Sequence, residues 1–328
     1  MSSVPVDRSI DRRAFLARTA ALAAASAVGG AVALPAVAQA GPTRTPVGPA
    51  PRPNAGLDGP DAYVRPRPDA VADPTELTIA EAAWLIRAGR LTPEQLVEAY
   101  LARISTYDAT YRAFNLVLAD AAVTAARDLA GRPRRGALHG IPLAIKDNYY
   151  TAGVPTTANS YLFRDFRPPF DATAVGKLTA GGAIVLGKTQ MGPLATTRAT
   201  TPDGAVTTVN AWTPTDPRTD PGGSSTGTAT AVAARLATSG TGTQTGGSIT
   251  APSNAQNLTG LKPTMGRVSL YGIIPLSYTR DHPGPLARDA KDAAIMLTAM
   301  AGEDPADPRT QGLPAVPDLI GAATGGAG

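Results

Sequence analysis

The 328-residue chain has no cysteine and only two histidines, His139 and His282. Without cysteine there is no disulfide framework, no thiol nucleophile and no Cys-ligated zinc, and two histidines leave almost no scope for a histidine metal site. Charged residues are 17% of the chain and aromatics 5%. The net charge is only +4. Two of those four positive charges arise in the first forty residues, where Arg8, Arg12, Arg13 and Arg18 outnumber Asp7 and Asp11. The remainder lacks the clustered basic charge that phosphate binding requires, so no nucleic-acid partner is expected. A strongly apolar run of about 20 residues, the length of a membrane-spanning helix, is also missing. What the chain has in abundance is glycine (34) and proline (31), together about a fifth of its residues and short of a disordered composition. Length and 43% hydrophobic content allow a sizeable globular core.

Residues 1–40 read as an address. Asp11-Arg12-Arg13-Ala14-Phe15-Leu16 precedes an uncharged, Ala-rich stretch from Thr19 to Leu34, followed by Ala38-Gln39-Ala40, a small-x-small cleavage site. The stretch is mostly alanine, with Gly29-Gly30 in its middle and Pro35 after it, which favours a twin-arginine export signal over a transmembrane anchor. The mature chain is then expected to be periplasmic or secreted, with no stable membrane anchor once the signal is removed. Export in the folded state suits a chain that forms no disulfides.

Residues 41–75 hold nine prolines and no apolar periodicity, the pattern of a linker or a surface-draped arm. The folded domain is expected over residues 76–328. Thr78-Ile79-Ala80-Glu81 forms a capping box for a helix that Gly89 closes, and Thr92-Pro93-Glu94-Gln95 opens a second helix with proline at its first position. A third helix is expected over about Leu116 to Ala130, then a strand at Ile141–Ile145. Asp171–Ala180 reads as helix, Gly181-Gly182 as a turn and Ala183–Leu186 as a buried strand. The alternation predicts an α/β layer fold.

Three segments carry unusual chemistry: Ile145-Lys146-Asp147-Asn148 at a strand end, Gly222-Gly223-Ser224-Ser225-Thr226-Gly227, and Gly242-Thr243-Gln244-Thr245-Gly246-Gly247-Ser248-Ile249. Singly, a lysine after a strand is a surface charge and Gly/Ser loops are turns. Together they are the materials of an amide-cleaving site that uses no histidine. A serine hydroxyl needs a base, and a lysine kept neutral by burial can supply one. Glycines beside a serine allow a strained backbone and expose consecutive N–H groups to an oxyanion. Ser248 also stands where a helix could start, although Pro252 limits that helix to a short one. No Gly-x-Ser-x-Gly elbow surrounds either serine, so a Ser-His-Asp triad is not supported. The two histidines read as polar loop residues.

These segments, their order, and the later Gly260-Leu261-Lys262-Pro263-Thr264 and Asp281-His282-Pro283-Gly284-Pro285-Leu286-Ala287-Arg288 resemble the amidase signature family, from about Glu76 to Pro314. The resemblance implies an α/β fold with a mixed central sheet flanked by helices. It also implies a Ser–cis-Ser–Lys triad: Lys146 as base, Ser224 as the bridge on a cis peptide after Gly223, and Ser248 as nucleophile. The 24-residue spacing from Ser224 to Ser248 agrees with the family pattern, and Ser225 is the alternative. Backbone N–H groups of Thr245, Gly246, Gly247 and Ser248 would form the oxyanion hole. The implied activity is hydrolysis of a small-molecule or peptide amide through an acyl-enzyme, with no cofactor and no metal. The family pattern has Asp and Arg where this chain has Gln244 and Thr250, and glycine where it has Thr226. It also continues beyond residue 328, so the fold is expected to be incomplete at its C-terminus. From that follow an unpaired sheet edge that invites self-association and incomplete walls around Lys146, which would return to an ordinary charged lysine. The competing expectation is an inactive amidase-like scaffold that at most binds a ligand.

Overall fold

A computed structural model describes residues 56–67, 72–201, 203–216 and 218–324. The export signal read in residues 1–40, and residues 41–55 of the proline-rich stretch, lie outside the described residues. Where that stretch is described it is not wholly superficial: Leu57 and Ala62 are buried in the main core.

The two capping boxes form as their sequences dictate. Helix α1 spans Ile79–Arg87, with the Thr78 and Glu81 side chains capping reciprocally, and Gly89 beyond it has φ +69°. Helix α2 spans Pro93–Tyr111, with the same exchange between Thr92 and Gln95. Strand β1, Phe114–Val117, comes next, and helix α3 runs only from Ala119 to Ala130. The expected start of that helix at Leu116 is therefore wrong. Leu116 and Val117 lie opposite Lys188 and Gly187 in an antiparallel ladder, and that pairing overrides the helical propensity of the Ala-rich stretch that follows.

Strand β2 is Pro142–Lys146, helix α4 Thr173–Ala180 and strand β3 Ile184–Thr189. Helix α5 (Thr226–Ala233), strand β4 (Ser239–Gln244) and helix α6 (Thr250–Ala255) follow. Strands β5 (Thr259–Gly260) and β6 (His282–Ala287) and helices α7 (Ala290–Met300) and α8 (Leu319–Thr324) complete the described elements. The sheet is mixed, in the order β1-β3-β2-β4-β6-β5. β2 is parallel to both β3 and β4, while β1, β6 and β5 run antiparallel to their neighbours. Every residue of β2 and β4 is buried, as for central strands covered on both faces. The C-terminal ends of these two parallel strands bring Lys146 and the 243–248 segment together. No helix among the described residues is long and apolar enough to cross a membrane.

Candidate active site

Lys146 ends β2 with its side chain wholly enclosed, at 0% exposure. Its Nζ lies 2.9 Å from Ser224 Oγ, 2.9 Å from Ser225 Oγ, 2.8 Å from Thr243 Oγ1 and 3.4 Å from Thr243 O. Burial pushes the amine down to about 7 from an ordinary 10.5, and the charge of Asp281 opposes that shift. The expectation that incomplete walls would expose this lysine is overturned, because β2, β4 and the loop before α5 enclose it without help from outside the described residues.

Loop 222–226 reaches the lysine through a backbone that only glycine permits. Gly222 has φ +72° and packs on Pro252, while a Cβ at Gly223 would overlap the backbone of Thr197 and Arg198. The Gly223-Ser224 peptide is cis. Gly192 N donates to Ser224 O (3.1 Å), and Ser225 N donates to Ser248 O (3.2 Å), so the two serine loops are tied directly. Thr226 fits the turn because its hydroxyl is fully engaged. It donates to Gly222 O (2.8 Å) and accepts from Ala199 N (2.9 Å).

Thr245, Gly246, Gly247 and Ser248 form the turn after β4. Their four N–H groups donate no hydrogen bond to any described residue, and the Ser248 hydroxyl also has no partner there. Neither glycine has positive φ, and a Cβ at Gly246 would meet nothing within 4 Å. The strained backbone expected of these glycines is absent. What they leave instead is room where a Gly246 side chain would stand, beside backbone donors with no partner among the described residues. Ser248 is half-buried, beside the lysine–serine cluster rather than sealed within it.

The substituted positions Gln244 and Thr250 meet each other. Gln244 Oε1 accepts from Ile249 N (3.0 Å), Thr250 N (2.9 Å) and Thr250 Oγ1 (3.2 Å). A neutral cap thus holds the entry to α6. That helix begins at Thr250 rather than Ser248 and contains only six residues.

Several contributors were not assigned from the sequence. Thr243 Oγ1 touches the lysine and also accepts from Asn148 Nδ2 (3.2 Å), which donates as well to Ile274 O (3.2 Å). Asp147, the residue after the base, pairs with buried Lys188 at 3.3 Å, and Lys188 Nζ donates to Tyr149 O and Thr156 Oγ1 at 2.7 Å each. Its burial pushes Lys188 down to about 8 against the pull of Asp147. The apolar run ending in Lys146-Asp147-Asn148 signalled the end of this strand; the partners come from other strands. His139 and His282 stand apart from the serines: His139 Nδ1 is buried without a partner among the described residues, and His282 Nδ1 lies 3.3 Å from Gln244 O. A cleft of about 480 Å³ lined by Arg103, Arg235, Arg288 and Trp212 lies at the C-terminal end of α5, the end remote from the serines. The Arg103 and Arg288 guanidinium groups there are engaged with backbone carbonyls.

The mixed sheet and the lysine–serine cluster at its strand ends define an amidase-type α/β architecture. The profile of the Amidase family matches residues 95–324, and the chain belongs to that family. AmiD of Mycobacterium tuberculosis is 41% identical over 264 residues, covering 79% of this chain and 54% of AmiD. A glutamyl-tRNA(Gln) amidotransferase component of Chloroflexus aurantiacus is 43% identical over 253 residues, covering 76% of this chain and 51% of that protein. The X-ray structure of the peptide amidase from Stenotrophomonas maltophilia superposes with a TM-score of 0.68 at 40% identity, over 74% of this chain and 51% of that one. The chain spans about half the length of the relatives it matches.

Proposed function

We propose that this chain carries the acyl-transfer site of an amide hydrolase, with Lys146 as base, Ser224 as proton bridge and Ser248 as nucleophile. The observation that carries the reading is a wholly buried amine in contact with the Ser224 hydroxyl, next to Ser248, whose hydroxyl and whose turn's four N–H donors have no partner among the described residues. As Ser248 Oγ bonds to the amide carbonyl carbon, its proton passes to Ser224, and the Ser224 proton passes to the neutral Lys146 amine. The N–H groups of Thr245, Gly246, Gly247 and Ser248 receive the oxyanion. Breakage of the C–N bond returns the proton through the bridge to the leaving nitrogen. Water then adds to the ester by the same relay, releasing the carboxylic acid and restoring Ser248. A relay made of two hydroxyls and one amine is balanced without a metal or cofactor.

The substrate class in this reading is a small-molecule or peptide amide, supported by the likeness to a peptide amidase. Residues 1–40 act as a twin-arginine signal that carries the folded chain out of the cytoplasm, supported by Arg12-Arg13 ahead of a weakly apolar stretch. The amidase domain in this reading is residues 76–328, with Leu57 and Ala62 of the preceding proline-rich stretch packed into its core. Self-association through the short edge strands β1 and β5 belongs to the same reading.

A fluorophosphonate probe tests the site. Wild-type chain is expected to be labelled covalently on Ser248, and Ser248→Ala to take no label. Label that persists in Ser248→Ala would place the nucleophile elsewhere, Ser225 first. A chain that takes no label at all would favour the inactive scaffold.

A further inference from the structure

The register of β4 on β6 places Gln244 opposite His282, so the next residues along the two chains, Thr245 and Asp281, face each other just past the end of the ladder. There the pairing is closed by side chains: Thr245 Oγ1 donates to Asp281 Oδ1. The other carboxylate oxygen, Oδ2, accepts from Leu276 N (2.8 Å) and Ser277 N (3.0 Å). Asp281 is 4% exposed, so these three donors replace water for a buried acid. The turn it grips is joined to the base strand as well, because Ile274 N donates to Asn148 O (2.9 Å) and Asn148 Nδ2 donates to Ile274 O.

We propose that Asp281 is a positioning residue of the site: one carboxylate oxygen fastens Thr245, the first residue of the 245–248 donor turn, and the other fastens the 276–277 turn, so that a single side chain holds the two together. The catalytic meaning of that clamp rests on the amide-hydrolase reading; the clamp itself does not. Three hydrogen bonds to a buried, charged acceptor form a stiff junction, since charge-assisted bonds are the strong ones. An oxyanion hole depends on donors fixed before the charge develops, and Thr245 is where this turn leaves the rigid sheet.

The same side chain has an electrostatic reach. Of the ionisable groups on the elements packed around it, Lys146 comes from β2, His282 from β6, and Tyr278 and exposed Arg280 from the turn, with Arg309 bound to Tyr278 O. The end of β4 contributes only the neutral Gln244 and Thr245. The charge of Asp281 pulls Lys146 back toward its ordinary value, against burial. Neutralising the clamp should therefore do two separable things, loosen the donor turn and make the amine easier to deprotonate.

The experiment follows the full chain by two readouts: the Lys146 ¹³Cε titration by NMR, and the rate of fluorophosphonate labelling of Ser248. Thr245→Val breaks the tie but leaves the charge; it is expected to slow labelling at least tenfold with the Lys146 midpoint unmoved. Asp281→Asn is expected to slow labelling similarly and to move the midpoint to lower pH by half a unit or more, with Asp281→Glu recovering the midpoint. A midpoint that moves only in Asp281→Asn, while labelling slows in both variants, separates loss of the charge from loss of the tie. Labelling of Thr245→Val at the wild-type rate would overturn the clamp, and an unmoved midpoint in Asp281→Asn would overturn its electrostatic reach to Lys146. Should Asp281→Asn not fold, the Thr245→Val rate decides. Should the wild-type chain take no label, the hydrolase reading fails, and amide hydrogen exchange at Leu276 and Ser277 decides on the clamp: faster exchange in Thr245→Val than in wild type supports it, and unchanged exchange overturns it.

Discussion

Replacing Lys146 by methionine should flatten the pH dependence of stability. Folded, the amine titrates near 7, and in the unfolded chain it returns to the ordinary 10.5. Between those values the unfolded chain binds a proton that the folded chain does not, so stability rises with pH by about 1.4 kcal/mol per pH unit. From pH 7.5 to 9.5 the wild type should gain about 2–3 kcal/mol relative to Lys146→Met. The full burial penalty is present below about 7, where the folded protein must bury an ammonium group, and it has vanished above 10.5. Lys188 is pushed down to about 8 and adds its own rise in both proteins, so the test reads the difference between the two curves rather than either slope alone. Urea unfolding midpoints of both proteins, measured at half-unit intervals over this window, provide the assay. Curves that run parallel within about 0.5 kcal/mol, smaller than the effect of a single pH unit, would refute the claim that the folded protein keeps this amine neutral. The same titration sets the acid limb of any amidase activity: kcat/KM should fall about tenfold per pH unit below 7, because an ammonium cannot accept the Ser224 proton.

Lys188→Met, which leaves Asp147 buried without its counter-ion, should lose about 3–5 kcal/mol by urea unfolding, whereas the double variant Lys188→Met/Asp147→Asn should recover part of that loss. Gln244→Ala removes the acceptor of three hydrogen bonds at the start of α6 and should cost about 1–3 kcal/mol in the same measurement. Replacing Arg12 and Arg13 with lysine should leave the chain in the cytoplasmic fraction; export at the wild-type level would remove the basis for the signal assignment.

The parts of this molecule legible in its sequence are those fixed by local chemistry. Two capping boxes and a proline at the first helical position announced α1 and α2 because each cap is a contract between residues three apart. The base strand was legible for a related reason: an apolar run that ends in Lys-Asp-Asn has one polar end, and that end carries the chemistry. β1 was missed because Leu116 and Val117, which pair with a strand some seventy positions later, look in isolation like the first turn of the Ala-rich helix beside them. The site divides along the same line. Lys146, Ser224 and Ser248 stand in segments whose glycines mark them locally. Thr243, an ordinary strand threonine, becomes a partner of the lysine only because parallel β2 and β4 lie side by side.

Asp281 shows why the remainder needed a structure. Its motif was visible but its partner was not, since Thr245 comes within reach only through the antiparallel register of β4 and β6. Ladder register is set by burial on both sheet faces across distant segments, information that no short window contains. The same register explains the neutral pair Gln244 and Thr250. Gln244 is the last rung of β4, and its side chain turns back over the start of α6 to occupy the two N–H groups there. The Ile249 and Thr250 donors are thereby spent, whereas those of residues 245–248 stay free. A carboxylate in place of Gln244 would make the same contacts but would add a negative charge beside the turn proposed to receive an oxyanion. The uncharged cap keeps the turn's shape without that opposing charge, so Gln244→Glu should keep the fold while slowing fluorophosphonate labelling of Ser248. An equal or faster rate in Gln244→Glu would show that the charge at this position does not reach the donors.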